Sequence, residues 1–319
     1  MQRQREGSPW TGLSAVAWKE AADHISSVRL LILLVLVLLT AFGSVYAAIG
    51  QIKETIGEDP FLFLRLLTTA RDPLPSFVSF LSFLLPLIGI ALAFDSINGE
   101  YSRRTMSRIL SQPIYRDALL FGKFLGSMLV LALVLLTLWL LTTGLGILTL
   151  GLPPSGAEIL RGLGFLVASL AYGGVWVAIA LLFSTLFRAP ATSALAALSL
   201  WLLFAVFWPM VTPFVAGLVA PVDPLNPVTL ISQVEAQQAL ARLSPNTLFG
   251  ETAAALLHPQ TRSLGLVFLY QLQGAVRGAP LPLGQSFILI WPQLSGLIAA
   301  MVILFTGSYV SFQRQEVRA

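Results

Sequence analysis

The 319-residue chain has no cysteine, two histidines, and only 11% Asp, Glu, Lys and Arg. Without cysteine there is neither a disulfide framework nor a thiolate metal site. His24 and His258 stand far apart, and no H-E-x-x-H pattern or intramembrane Asp pair accompanies them, which removes the usual histidine-based metal and hydrolytic chemistries. Ser193 and Ser199 have no basic partner nearby in sequence, so their hydroxyls are read as bonding to helix carbonyls or lining helix contacts. Soluble domains carry roughly 25% charged residues, whereas here 56% of residues are hydrophobic and the mean hydropathy is +0.82. A water-soluble fold would lack the polar surface it needs.

What is present in quantity is uninterrupted apolar chain. Residues Leu30–Ile52, Pro73–Phe94, Phe124–Ala157, Gly162–Phe187, Ala189–Val222 and Gly278–Gln313 contain no Asp, Glu, Lys or Arg. Each interval exceeds the roughly 20 residues that carry a helix across a hydrocarbon core of about 30 Å. Trimmed for loops, the expected spans are 30–49, 76–97, 124–149, 162–187, 191–212 and 286–310. Continuous apolar runs, rather than ~10-residue segments of alternating polarity, exclude a β-barrel. The fold class is therefore all-α and polytopic, a single transmembrane domain over 1–319. The first run is longer than the ~7–15 apolar residues of a signal peptide and is read as a retained span.

Lys and Arg near the span ends set the orientation. A cytoplasmic N-terminus places 12 of 19 basic residues inside with 7 acidic ones, against 7 basic and 8 acidic outside. The positive-inside rule selects that arrangement, with both termini in the cytoplasm of a cell that holds the chain in its plasma or inner membrane. The basic balance thus follows from topology, and a nucleic-acid partner is not implied.

Between the spans, segment 10–29 mixes Trp10, Leu13, Val16, Ala17, Trp18, Ile25 and Val28 with Lys19, Glu20, Asp23, His24 and Arg29. That mixture suits a helix lying in the membrane interface with its charges toward water; an ordinary extension of the first span is the alternative. Residues 50–75 read as an external loop with one apolar turn at Phe61–Leu67. Arg188-Ala189-Pro190 makes a minimal cytoplasmic turn between spans four and five. Gly162, Gly164, Gly173 and Gly174 give span four a close-packing surface. Pro86, Pro209, Pro213 and Pro292 each remove a backbone donor inside a span. The region 213–285 is expected to be external, with short helices at 228–243 and 263–276; a re-entrant segment at 263–276 is the alternative.

The most informative stretch runs from Asp95 to Lys123, DSINGEYSRRTMSRILSQPIYRDALLFGK. Arg103, Arg104, Arg108, Arg116 and Lys123 gather there with Asp95, Glu100 and Asp117. Met106, Ile109 and Leu110 have i, i+3, i+4 spacing, which places an apolar stripe beside an arginine-rich face. Pro113 ends that short helix near Gln112. A helix of this kind can offer Met and Leu knobs to a partner groove; arginines resting on anionic lipid are the bland reading. Asp95 is expected to pair with Arg103 or Arg108.

The order Glu100, Thr105, Ile109-Leu110, Gln112-Pro113, Arg116 and Gly122-Lys123 resembles the ABC-2 type transporter permease family, particularly its six-span bacterial permeases of exporter and multidrug or copper-maturation systems. One departure is Arg104, where members often have Gly before the Thr. The resemblance implies that 98–123 holds a coupling helix docking on a separate ATP-binding subunit, through Glu100, Arg103, Arg104, Thr105, Met106, Arg108, Ile109, Leu110, Pro113, Arg116 and Lys123. ATP and Mg would be bound by that partner. This chain has no G-x-x-x-x-G-K-[ST] phosphate loop of its own, since Phe124 follows Gly122-Lys123 and Asp117 stands where the first glycine would be. No catalytic residue, cofactor or metal site is expected in it. Six spans cannot easily enclose a pathway, so a second permease copy or homologue is expected to face this one, and the resemblance implies a pathway along spans one, two and five. Phe42, Tyr46, Phe80, Phe83, Phe204 and Trp208 would line that pathway, and they would suit an amphipathic or lipid-like substrate. Two rivals remain. A secondary transporter needs an ionisable residue at mid-membrane depth, which none of the six runs contains. A non-transporting assembly or anchoring subunit would have a similar sequence.

Overall fold

The computed structural model describes the chain except residues 1–9, 11, 53–60, 73, 113, 224–225, 227, 265–279 and 316–319. All elements among the described residues are helices: α1 Leu13–Ile25, α2 Val28–Ile52, α3 Leu62–Thr68, α4 Phe77–Ala93, α5 Asn98–Ser102, α6 Met106–Ser111 and α7 Arg116–Leu150. They continue as α8 Gly156–Leu186, α9 Pro190–Leu202, a π-helical segment Leu203–Phe207, α10 Trp208–Val219, α11 Val228–Ala241, α12 Pro245–Leu257 and α13 Leu283–Arg314. Six stretches among them are long and apolar enough to cross a membrane: Val28–Ile52, Phe77–Ser102, Arg116–Leu150, Gly156–Leu186, Pro190–Val219 and Leu283–Arg314. The face of the bundle that holds α1, α5, α6 and the end of α13 is called the terminal face below.

Helix α8 is the centre of the bundle. In its most apolar window 78% of residues are buried, against 6% for the span Pro190–Val219. Glycine makes that position available, because α8 must be approached from several sides. A Cβ on Gly173 would stand 2.7 Å from Leu131 Cδ2 of α7, and one on Gly174 would stand 2.5 Å from Met301 Sδ of α13. Gly89 of α4 lies so close that its Cβ would meet Gly173 O at 2.8 Å. At the far face, Ser155 and Glu158 close a capping box on α8, each satisfying an orphan donor of the first turn.

The fifth span is not a regular helix. Pro209 has no N–H and its ring collides with the carbonyl four residues back, and the π-helical segment Leu203–Phe207 lies directly ahead of it. A π-bulge is a recognised way to absorb such a mismatch inside a long helix.

The region expected to lie outside the spans is partly drawn in among them. Helix α11 runs back along α10, with Trp208 Nε1 donating to Leu240 O at 3.0 Å. Helix α12 then begins beside the middle of α8, where Phe249 stacks on Tyr172 with ring centroids 4.5 Å apart. The Tyr172 hydroxyl lies between Ser82 O, at 3.0 Å, and Asn246 Oδ1. Inside this hairpin Arg242 Nε reaches both Glu251 oxygens at 3.0 and 3.1 Å, and Gln293 Nε2 of α13 donates to Glu251 at 2.9 Å. Near the far end of α8, Arg161 is 1% exposed and donates to Leu256 O, Leu281 O and Ser286 Oγ. The turn expected at Phe61–Leu67 is the helix α3. The segment 263–276 lies almost entirely outside the described residues.

Candidate functional site

The expected coupling segment folds as two short helices on the terminal face, held from below by α8. After α4 the chain turns through Phe94–Ile97, and Ser184 Oγ accepts from the N–H groups of Ile97 (2.9 Å) and Asn98 (3.3 Å) while donating to Asn98 Oδ1 (3.2 Å). Asn98 Nδ2 donates to Phe187 O at 3.2 Å. One asparagine and one serine thus supply the partners that a buried turn demands of its backbone. Helices α5 and α6 meet at Arg104, whose φ of 57° is the one positive value on a non-glycine residue among those described. An L side chain in that region costs about 1–2 kcal/mol, which glycine avoids at some entropic cost. This is the position where the resemblance leads one to expect Gly. Replacing Arg104→Gly should therefore raise the thermal stability of the purified chain, by up to about 1 kcal/mol after the entropic cost; a loss of stability would show that the guanidinium makes compensating contacts.

Beneath the segment lies a charged hub. Lys123, 3% exposed, places Nζ 2.9 Å from Glu20 Oε2 and 3.2 Å from Glu100 Oε1. Thr105 Oγ1 donates to Glu100 Oε2. Three separate elements, α1, α5 and α7, therefore meet at one ammonium. The approach of α1 is allowed by Gly122 and Gly126, a G-x-x-x-G pair on α7: Cβ atoms there would stand 2.7 Å from Val16 Cβ and 2.8 Å from Ala17 O. Small residues at that spacing let helices touch backbone to backbone. A buried ammonium between two carboxylates is costly to desolvate and is tolerable only with such full pairing.

A second pair of charges flanks the hub. Asp95 Oδ2 accepts from Arg29 Nη2 at 2.8 Å and lies 3.6 Å from Arg103 Nη2. The Arg29 guanidinium also stacks over Phe94, 5.1 Å from its ring centroid. His24 sits between Glu20, at 3.8 Å, and Ser127 Oγ, at 3.3 Å. Burial pushes the His24 pKa below its ordinary value, with Lys123 and Arg29 adding to the effect and Glu20 and Asp95 opposing it. Because the folded pKa lies below that of the unfolded chain, near 6.5, the neutral ring costs nothing above that pH. Stability is lost as pH falls from about 6.5 down to the folded value and levels off below it, at no more than about 1.4 kcal/mol per unit. Thermal melting of His24→Gln should show a shallower pH dependence below 6.5 than the parent chain; an unchanged slope would assign the acid sensitivity to other groups.

The sequence-derived coupling residues divide by exposure. Arg103, Arg104 and Arg108 are exposed, and Glu100, Thr105, Ile109 and Arg116 are intermediate. Met106 is 2% exposed and belongs to the core, so it offers no knob. Lys123 is equally enclosed. Arg116 faces α13, donating to Phe312 O at 2.6 Å and Gln315 O at 3.0 Å. Pro113 and the Leu110 side chain lie outside what is described. The expected ion pair of Asp95 with Arg103 forms, whereas Arg29 was not anticipated. Nor was Glu20, which sequence reading turned toward water. Its signal was its register, since it falls on the same α1 stripe as Val16, Ala17 and Ala21. Of the six aromatic residues assigned to a pathway, Phe42 and Tyr46 stack on each other at 6.4 Å on α2, Phe83 packs edge-on to Trp201, and Phe204 packs against Trp208. Phe80 packs against the main core.

Among the described residues no group of three or more His, Cys, Asp or Glu side chains is placed to hold a metal ion. What the terminal face offers is mechanical: an arginine-bearing surface on two short helices, tied through Glu100, Lys123 and Glu20 to a long span and to α1. Comparison with known proteins agrees with such a part. The family described as ABC-2 family transporter protein matches residues 14–317. The chain is 33% identical over 203 residues to a probable ABC transporter permease protein NosY of Pseudomonas aeruginosa, covering 62% of this chain and 67% of the relative. To the protein of the same name in Stutzerimonas stutzeri it is 30% identical over 222 residues, 67% of this chain and 74% of the relative.

Proposed function

The chain belongs to the ABC-2 transporter family, and from that premise we propose that it is the membrane half of an ATP-driven exporter whose motor is a separate ATP-binding subunit. The carrying observation is the junction on the terminal face. Arg103 and Arg104, at the junction of α5 and α6, and Arg108, on α6, are presented outward, while the other side of the same segment is locked to α7 and α1 through Lys123. A rigid surface of this kind converts a push from outside into movement of whole helices, which a bistable packing of bundles can amplify into alternating access.

In this reading the terminal face is cytoplasmic and both termini lie there. Hydrolysis of ATP, with its Mg ion, takes place in the partner, and this chain performs no covalent chemistry. A second copy or a homologous permease completes the pathway, because only 6% of the residues in the most apolar window of the span Pro190–Val219 are buried within the single chain. The aromatic and aliphatic character of α2 and α9–α10 favours an amphipathic or lipid-like cargo.

Gentle extraction from native membranes should recover the chain with an ATP-binding subunit, and the complex in proteoliposomes should move cargo only with hydrolysable ATP. Transport by the chain alone, or transport that follows a proton gradient at constant ATP, would replace this reading with secondary transport.

A further inference from the structure

A polar cavity of about 370 Å³ opens on the terminal face between the α1–α2 corner and the α4–α5 turn. Its lining is dipolar. At one side Arg29 and Arg103, both more than half exposed, share a single carboxylate oxygen of Asp95, which leaves a local excess of positive charge. At the other side one ammonium, Lys123, serves two carboxylates, Glu20 and Glu100, and the neighbouring His24 is held toward its neutral form. That side carries the excess negative charge. The wall between is apolar, formed by Leu30, Leu33, Ala91 and Leu92, residues of the first two spans that continue into the membrane. Just outside, Ile25, Val28, Leu31 and Ile32 are exposed around the α1–α2 corner, as suits a corner embedded in lipid.

We propose that this cavity is a binding site for the headgroup of a phosphatidylethanolamine-type lipid. The lipid phosphate meets the Arg29 and Arg103 guanidiniums, which match phosphate geometry through paired N–H donors. Its primary ammonium meets the Glu20–Glu100 side, whose four carboxylate oxygens each accept one bond from Lys123 or Thr105 and keep further lone pairs for its N–H donors. The acyl chains leave along Leu30 and Leu33. A lipid bearing a net anion satisfies only the positive side and meets repulsion at the other. Phosphatidylcholine has the same charge, but its quaternary ammonium has no N–H to donate. Since Glu100 and Arg103 belong to the segment that faces the proposed motor, the occupied site would couple bilayer composition to the position of that segment.

The test uses the full-length chain alone, in nanodiscs of phosphatidylcholine doped with equal minor amounts of phosphatidylethanolamine and phosphatidylglycerol, read by native mass spectrometry for retained lipid. Phosphatidylethanolamine should be retained about tenfold over phosphatidylcholine, as expected for the loss of one or two charge-assisted bonds. The double variant Arg29→Gln/Arg103→Gln should lower it to the phosphatidylcholine level, while Arg108→Gln, elsewhere on the same face, should leave it unchanged. Soluble phosphoethanolamine should not displace the lipid. Preferential retention of phosphatidylglycerol, equal retention of all three, an equal effect of Arg108→Gln, or displacement by the soluble headgroup would each overturn the assignment. The preference of the parent chain needs no variant, so a misfolded double variant does not spare the proposal. No ATP-binding subunit is present, and the outcome is independent of the function proposed above.

Discussion

Replacing Lys123→Met should destabilise the chain by about 3–5 kcal/mol, the cost of leaving buried carboxylates without their counter-ion. Methionine matches the length of the lysine stem, so the close approach of α1 to Gly122 and Gly126 is largely kept and charge is the main change. Glu20 and Glu100 would then face each other across an apolar thioether, with Thr105 beside Glu100 and His24 3.8 Å from Glu20 in place of the ammonium. The expected structural consequence is local: α1 lifts from α7, and hydrogen exchange accelerates over Leu13–Ile25 and Asn98–Ser102 before it does so in α8. A buried ion cluster replaced as a whole by uncharged side chains is often neutral, so Lys123→Met/Glu20→Met/Glu100→Gln, which removes both carboxylates with the ammonium, should regain most of the loss. If the single variant melts like the parent, the hub is hydrated and does not tie the three elements together.

The second large effect concerns association. Reversing Arg103→Glu together with Arg108→Glu should reduce copurification of the ATP-binding subunit at least about tenfold, because truncating or inverting charge at a docking surface costs roughly 1–3 kcal/mol per paired group. Arg108 is exposed and Arg103 gives up only its half-exposed ion pair with Asp95, so stability should fall by no more than about 1 kcal/mol and membrane insertion should not change. Reversal of Glu100 alone also weakens association, though by another route. Its carboxylate holds Lys123 and Thr105, so that variant should lose stability as well. The pair of results separates a residue that touches the partner from one that positions the surface. Equal association by the doubly reversed chain would remove the arginines from the docking face.

Much of this arrangement was legible before any coordinates. The spans are marked by gaps in charge, and a helix in hydrocarbon cannot hide an unpaired carboxylate or ammonium. The glycines of α8 marked a close-packing surface, and Gly173 and Gly174 are approached within contact distance by α7 and α13. The Arg104 position, where a glycine was expected, is the one strained in the left-handed region. Two things were not legible, for a common reason. Glu20 and Lys123 are distant in the chain, and each alone resembles a solvated charge; only the contact of α1 with Gly122 and Gly126 turns them into a buried pair. The helix α12, Pro245–Leu257, was likewise not marked, since the short helices expected in the 213–285 region were 228–243 and 263–276. In three dimensions Arg242 and Glu251 neutralise each other and Gln293 completes the set, so a polar segment can lie alongside apolar spans.

The absence of native cysteine makes one measurement unusually direct. A single cysteine introduced at Ser107, exposed on α6, and fitted with a short photo-reactive cross-linker should form an adduct with the ATP-binding subunit in native membranes. The same reagent at Leu230, exposed on α11, should not. Adduct formation at Ser107 alone is the result that a motor docked on the terminal face requires; no adduct at Ser107, or one at Leu230, would contradict it.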